Sequence, residues 1–232
     1  MTRLVKKMTE RLLAISDIHG KKDTFIELLN NIGYDSAQDQ LILLGDYVDR
    51  GPNSRAVLNQ VIRLQEEGAI VLRGNHDDML VAAYRGEPGA LERWERNGAI
   101  HTLQNYDSTI ETMTIPQTDE FRQHVEFIES LAYYHETPDY IFVHAGINPA
   151  RPLEDTDPFD FVWIRDAFFK EYSGDKTVIF GHTPTSLLHD DQHDHSIYFG
   201  TNNIIGIDGA AVYGGNLNCL ELPSKRVFSV KG

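Results

Sequence analysis

Five times along this chain a short apolar run stops abruptly at a polar turn that carries Asp, Asn or His. RLLAIS (11–16) runs into SDIHG, QLILLG (40–45) into GDYVDRGP, and AIVLRG (69–74) into GNHDD. Further on, DYIFVHAG (139–146) and TVIFGHTP (177–184) repeat the unit. Between the first runs lie segments of helical period. Phe25, Leu28, Leu29 and Ile32 share one face, as do Val57, Val61 and Leu64. Strand, polar turn and helix in alternation predict βαβ units and an α/β core. In open α/β sheets ligands gather beyond the carboxyl ends of strands. Five such ends meeting at one crevice would bring Asp, His and Asn side chains together.

Residues 86–118 break this rhythm, mixing Gly, Pro, Asn and Thr with scattered apolar residues. They are expected to form an insertion or lid, with a short helix around 89–96. Residues 119–130 read as a helix with Phe121, Val125 and Ile128 on one face. From about 196 the tail reads as successive strands, SIYFG, NIIGID, GNLNCLEL and KRVFSV, with Gly and Asn boundaries that suit hairpins. No linker divides the 232 residues. One domain over 1–232 is expected, its core at about 11–230.

Composition narrows the function classes. Thirty-five acidic against 21 basic residues give a formal charge of −14, which argues against general nucleic-acid binding. The single cysteine, Cys219, permits no intrachain disulfide and fits a reducing compartment. The N-terminal MTRLVKKMTE is basic but lacks the apolar stretch of a signal peptide. No run approaches the ~18 apolar residues of a membrane span. The expectation is a cytoplasmic protein without a membrane partner.

The ligand types select a metal class. Imidazole with carboxylate suits Mn, Fe, Zn or Ni better than Ca, which prefers oxygen alone. Asp17 and His19 lie two apart and would point the same way in extended backbone. There are donors enough for two ions, with Asp46 able to bridge them; such pairs polarise phosphoryl oxygens.

SDIHG, GDYVDRG, RGNHD, VHAG and GHTP, in this order, resemble the motifs of the calcineurin-like metallophosphoesterases. The likeness is best to bacterial and phage members of the phosphoprotein phosphatase group, over about residues 11–215. It implies two mixed β-sheets packed as a sandwich and flanked by α-helices. It also implies one metal on Asp17, His19 and Asp46, and another on Asp46, Asn75, His144 and His182, with manganese favoured. His76, oriented by Asp49, resembles the general acid. Arg50, Arg73 and Arg165, with Asn75, resemble the phosphate-binding groups. A metal-bridging hydroxide would attack phosphorus in line, without a phosphoenzyme. An imidazole beside a carboxylate should have a raised pKa and stay protonated near neutrality.

Asp77 follows GNH where the eukaryotic phosphatases have Glu, and Asp there also occurs in diadenosine tetraphosphate hydrolases. Asp49 points back to the phosphatases. The favoured substrate is therefore a phosphoserine or phosphothreonine protein or peptide. A nucleotide such as diadenosine tetraphosphate is the alternative, and a non-catalytic binding module the second. Blander readings stand for other residues. HDDQHDHS (189–196) suits a solvated loop, WIRDAF an amphipathic helix around Arg165, and Tyr213 a strand position. Cys219 suits the core.

Overall fold

A computed structural model describes residues 11–232; the N-terminal segment read above for a leader lies outside the described residues. The chain runs β1 (Arg11–Ile15), α1 (Lys22–Ile32), β2 (Asp39–Leu43), α2 (Ser54–Glu66), β3 (Ile70–Val71) and α3 (Asn75–Tyr84). It continues with α4 (Ala90–Glu95), α5 (Ile100–Gln104), α6 (Asp119–Glu129), β4 (Tyr134–Glu136), β5 (Tyr140–Val143), α7 (Pro158–Trp163) and α8 (Asp166–Glu171). It closes with β6 (Thr177–Phe180), β7 (Tyr198–Phe199), β8 (Ile204–Gly206), β9 (Asn216–Leu222) and β10 (Arg226–Lys231).

The strands form two five-stranded sheets, ordered β10-β9-β1-β2-β3 and β4-β5-β6-β8-β7. Each is mixed. β1, β2 and β3 are parallel, as are β5, β6 and β8, while β9, β10, β4 and β7 each pair antiparallel with a neighbour. Successive side chains of a strand face opposite ways, and here both faces are covered. Ala14, Ile42, Phe142, Ile179 and Leu220 pack together between the sheets. Their neighbours Leu13, Ile15, Leu41 and Leu43 turn outward onto α1 and α2, and Val143, Val178 and Phe180 onto α7 and α8. Burial on both faces explains why these strands read as continuous apolar runs rather than alternating ones. The result is a sandwich flanked by helices, as expected.

α1 buries Phe25, Leu28, Leu29 and Ile32, the four read from their spacing, and stops where Gly33 takes φ 65° and caps Asn30 and Leu29 carbonyls. Burying each such side chain contributes about 1.5–3 kcal/mol.

Several elements differ from the sequence reading. β3 is two residues long; beyond it Leu72 bridges Ala132 and the chain turns into α3. The tail forms two hairpins, β7–β8 and β9–β10, but between them it crosses from one sheet to the other. WIRDAF is not one helix: α7 ends at Trp163, and Arg165 sits in the break at φ −136°, ψ −101°. Tyr213 lies in a 3-10 turn rather than a strand. Residues 86–118 hold α4 and α5, and 189–196 is the polar loop expected. Among the described residues no helix is long and apolar enough to cross a membrane.

Candidate active site

β1, β2 and β3 run parallel in one sheet and β5, β6 and β8 in the other, and the carboxyl end of each delivers a polar side chain. β1 leads to Asp17 and His19, β2 to Asp46, Asp49 and Arg50, and β3 through Arg73 to Asn75 and His76. β5 leads to His144 and β6 to His182. All these residues except Arg50 are buried. The sixth end, β8, delivers Asp208, which the sequence reading missed. Its signal was the same as the other five: NIIGI running into an Asp before Gly.

The turns are tight and strained. Asp17 and His19 are not extended, as expected from their spacing, but left-handed at φ 55° and 43°. Asp46, Asp49, Arg50 and His182 share that conformation, so six of the nine non-glycine residues with positive φ among the described residues stand at this site. Each costs roughly 1–2 kcal/mol, and such strain gathers at functional sites. Hydrogen bonds across the sheet ends hold it: His19 N donates to Asp46 O at 2.9 Å, and Asp17 N to Gly45 O at 3.2 Å. Glycine admits the close approaches. A Cβ on Gly74 would stand 2.2 Å from Asp46 Oδ1, and one on Gly181 2.2 Å from Asp17 Oδ2. Asp77, one step past GNH, ties the turns together: its carboxylate accepts from Asp46 N at 2.8 Å, Gly74 N at 2.9 Å and Tyr47 N at 3.2 Å.

Asp46 is central. Its Oδ2 lies 3.4 Å from His19 Nε2 and its Oδ1 3.5 Å from His144 Nε2. Two groups offer three potential ligand atoms within 4.8 Å of one another: His19, Asp46 and His76, and Asp17, Asp46 and His144. Asn75 Oδ1 stands 2.9 Å from His144 Nε2 and 2.8 Å from His182 Nδ1. His19 Nδ1 donates to Val48 O at 2.7 Å and His144 Nδ1 to Leu44 O at 2.8 Å. Those bonds fix the tautomers and leave the Nε2 lone pairs facing inward. His144 Nε2 and Asn75 Oδ1 then oppose each other as two acceptors with no proton between them. A cation resolves that arrangement.

Electrostatics agree. Burial, then Asp17 and Asp77, push the Asp46 carboxyl well above its ordinary range, and burial, then Asp17, does the same to Asp208. Burial lowers His19, His144 and His182, so these imidazoles stay neutral, as metal ligands must, and it lowers His76 beside them as well. Crowded carboxylates and neutral imidazoles with little water favour bound cations. The donor set fits two divalent ions sharing Asp46.

His76 Nδ1 lies 2.7 Å from Asp49 Oδ2, the pairing expected. The expected rise of the imidazole pKa is corrected. His76 is 1% exposed, and burial, then Arg50 and His144, lower it well below 6.5. Burial likewise raises Asp49, to about 7, against Thr102 and Trp94. Thr102 Oγ1 donates to Asp49 Oδ1 at 2.7 Å and Trp94 Nε1 to Oδ2 at 2.8 Å. These two clamps come from residues 86–118, and the sequence carried no local sign of them.

The arginines divide. Arg50 Nη1 donates to His19 Nε2 at 2.8 Å, and Arg165 Nε to His182 Nε2 at 3.2 Å. Both line a hollow of about 220 Å³ with Asp17, His19, His182 and Asp208. Tyr213 stands at its rim, 68% exposed, with the Arg50 guanidinium 5.3 Å from its ring centre. Arg73 does not join them. It pairs with Asp78 and stacks on Tyr133 at 5.5 Å, facing another hollow.

The family model for calcineurin-like phosphoesterases matches residues 10–217. An asymmetrical bis(5'-nucleosyl)-tetraphosphatase, PrpE, of Bacillus velezensis is 26% identical over 94% of this chain and 91% of its own. A symmetrical bis(5'-nucleosyl)-tetraphosphatase of Acidovorax ebreus is 32% identical over 75% of this chain, which spans 57% of that protein. Among solved structures, a putative diadenosine tetraphosphatase superposes with a TM-score of 0.71 at 23% identity, over 97% of this chain and 95% of that one, a likeness of fold. Each of these three similar proteins carries the name of a tetraphosphatase of a nucleotide pair.

Proposed function

The chain belongs to the calcineurin-like phosphoesterase family, and on that premise we propose that it hydrolyses the polyphosphate bridge of a dinucleoside polyphosphate such as diadenosine tetraphosphate. The observation that carries this reading is the hollow over the cluster, where two arginines stand beside an exposed aromatic ring. It offers an anchor for phosphate and a platform for a base in one place. The names of the similar proteins support it.

Divalent ions held by Asp17, His19, Asp46, Asn75, His144 and His182 would polarise phosphoryl oxygens and lower the pKa of water; manganese is favoured over iron, zinc or nickel. Arg50 and Arg165 hold phosphate oxygens by paired N–H donors, which match them geometrically. His76 keeps its Nδ1–H on Asp49; it is neutral in the free site, so its Nε2 takes up a proton when the negative charge of the phosphate enters and then gives that proton to the leaving oxygen. Asp49 is fixed in turn by Thr102 and Trp94, so the imidazole is oriented from behind.

The phosphoserine or phosphothreonine reading stands second, favoured by that clamped Asp49–His76 pair. An alkoxide leaves poorly and needs a proton. A nucleotide leaves as a phosphate, whose second pKa is about 6, and needs one far less. The test compares kcat/KM on diadenosine tetraphosphate and on a phosphoserine peptide for wild type and His76→Asn. The proposal expects the dinucleotide to be the better substrate and to lose less in the variant. A strong preference for the peptide would overturn it.

A further inference from the structure

The second hollow, also about 220 Å³, has no part in the chemistry above. Arg73, Asp78, Arg93, Tyr133, Phe159 and Trp163 are among its walls. It adjoins the cluster by two routes. α3 supplies Asn75 and His76 from its first turn and Asp78 just after them. Trp163 closes α7 and meets the His182 ring edge-on at 5.6 Å.

Its lining is unusual for an idle surface. Phe159 and Trp163 stack at 6.1 Å with 21° between their planes, one helical turn apart on α7. Phe159 is 59% exposed, an aromatic face left open to water. Opposite chemistry stands in the same hollow: the Arg73 guanidinium lies on Tyr133 and pairs with Asp78. A flat apolar platform beside one fixed donor group and one fixed acceptor group matches a heteroaromatic base. Such a base stacks by its face and carries both acceptors and N–H donors along its edge. The diversion of Arg73 from the cluster is then explained, since it serves this hollow instead.

We propose that the Phe159–Trp163 hollow is a nucleobase subsite, holding a purine at one end of the substrate while the phosphate chain crosses the cluster. This rests on the dinucleoside polyphosphate reading and adds the place where that substrate is gripped. His182 borders both places: it meets Trp163 of this hollow and lines the other hollow together with Tyr213.

The test is Phe159→Ala, at a position exposed enough to spare the fold, with thermal melting as the control. Loss of one aromatic stacking partner should raise KM for diadenosine tetraphosphate roughly tenfold and leave its kcat nearly unaltered. The ratio of kcat/KM on the dinucleotide to that on p-nitrophenyl phosphate, which has no base, should fall by the same factor. Phe159→Trp should restore it. An unmoved ratio, or a rise in KM confined to phosphopeptides, overturns the subsite. If wild type cleaves no dinucleoside polyphosphate, the substrate reading fails and the hollow is judged alone by saturation-transfer NMR with adenosine. Transfer to the purine protons that disappears in Phe159→Ala upholds the subsite; no transfer, or transfer unaffected by the variant, overturns it.

Discussion

Trp94→Phe removes a single hydrogen bond, yet it should move the pH dependence of the whole reaction. Trp94 is fully buried on α4, and its indole N–H donates to Asp49 Oδ2 at 2.8 Å. Burial already raises Asp49 to about 7, and Thr102 and Trp94 are the first groups that hold it from going higher. A hydrogen bond to a charged group contributes about 1.5–3 kcal/mol. At 1.36 kcal/mol per pKa unit, its loss should raise Asp49 by roughly 1–2 units. Bound cations would lower Asp49 alike in both proteins, so the difference between them would persist. When Asp49 takes a proton it no longer fixes His76 as an anion would. The acidic limb of kcat against pH should therefore shift upward by about one unit or more, with activity recovering toward the alkaline side. The assay is aryl phosphate turnover at saturating Mn²⁺ from pH 5 to 9. Loss of packing alone would lower activity evenly. A profile that keeps the wild-type limb, whatever its height, would refute the clamp.

Asp46→Asn should reduce bound metal and abolish turnover, since Asp46 stands between both triads; metal analysis after dialysis checks this. Gly74→Ala should be worse for metal retention than Gly86→Ala, because the new Cβ would meet Asp46 Oδ1 at 2.2 Å while Gly86 has open space around it. Arg165→Ala should raise KM for aryl phosphate about tenfold or more, as for a lost charge-assisted bond, whereas Arg73→Ala should leave it nearly unaltered. His124 is lowered chiefly by burial, so its neutral form is the folded one and the unfolded chain takes the proton as pH falls below 6.5. The stability advantage of wild type over His124→Gln should therefore shrink between pH 7 and 5. Urea titration at the two pH values measures it.

What was legible in the sequence, and what was not, follows from the range of the interactions. α1 was readable because its four core residues repeat at helical spacing on one face. α3 was not, because it is buried nearly all round, with Asn75, His76 and Asp77 as inaccessible as Leu80 and Val81. The inner strands were readable as apolar runs, and the ligand turns by their polar stops. Asp208 obeyed the same rule and was passed over among the tail strands. The left-handed turns at Asp17 and His19 arise from contacts between strand ends, which spacing cannot report. Arg73 sits in a ligand motif but is captured by Asp78, five residues on, across the first turn of a helix. Trp94 and Thr102 act on Asp49 from 45 and 53 residues away, with no local pattern to announce them.

The central claim is that these strand ends form a two-metal hydrolytic centre. The most direct measurement strips the protein of metal, titrates Mn²⁺ back, and follows both bound metal per chain and hydrolysis of an aryl phosphate. The account predicts two ions per chain, with turnover rising as the second binds, and fewer than two ions with no turnover in Asp46→Asn. A folded protein that binds no divalent ion, or turns over equally without one, would contradict it.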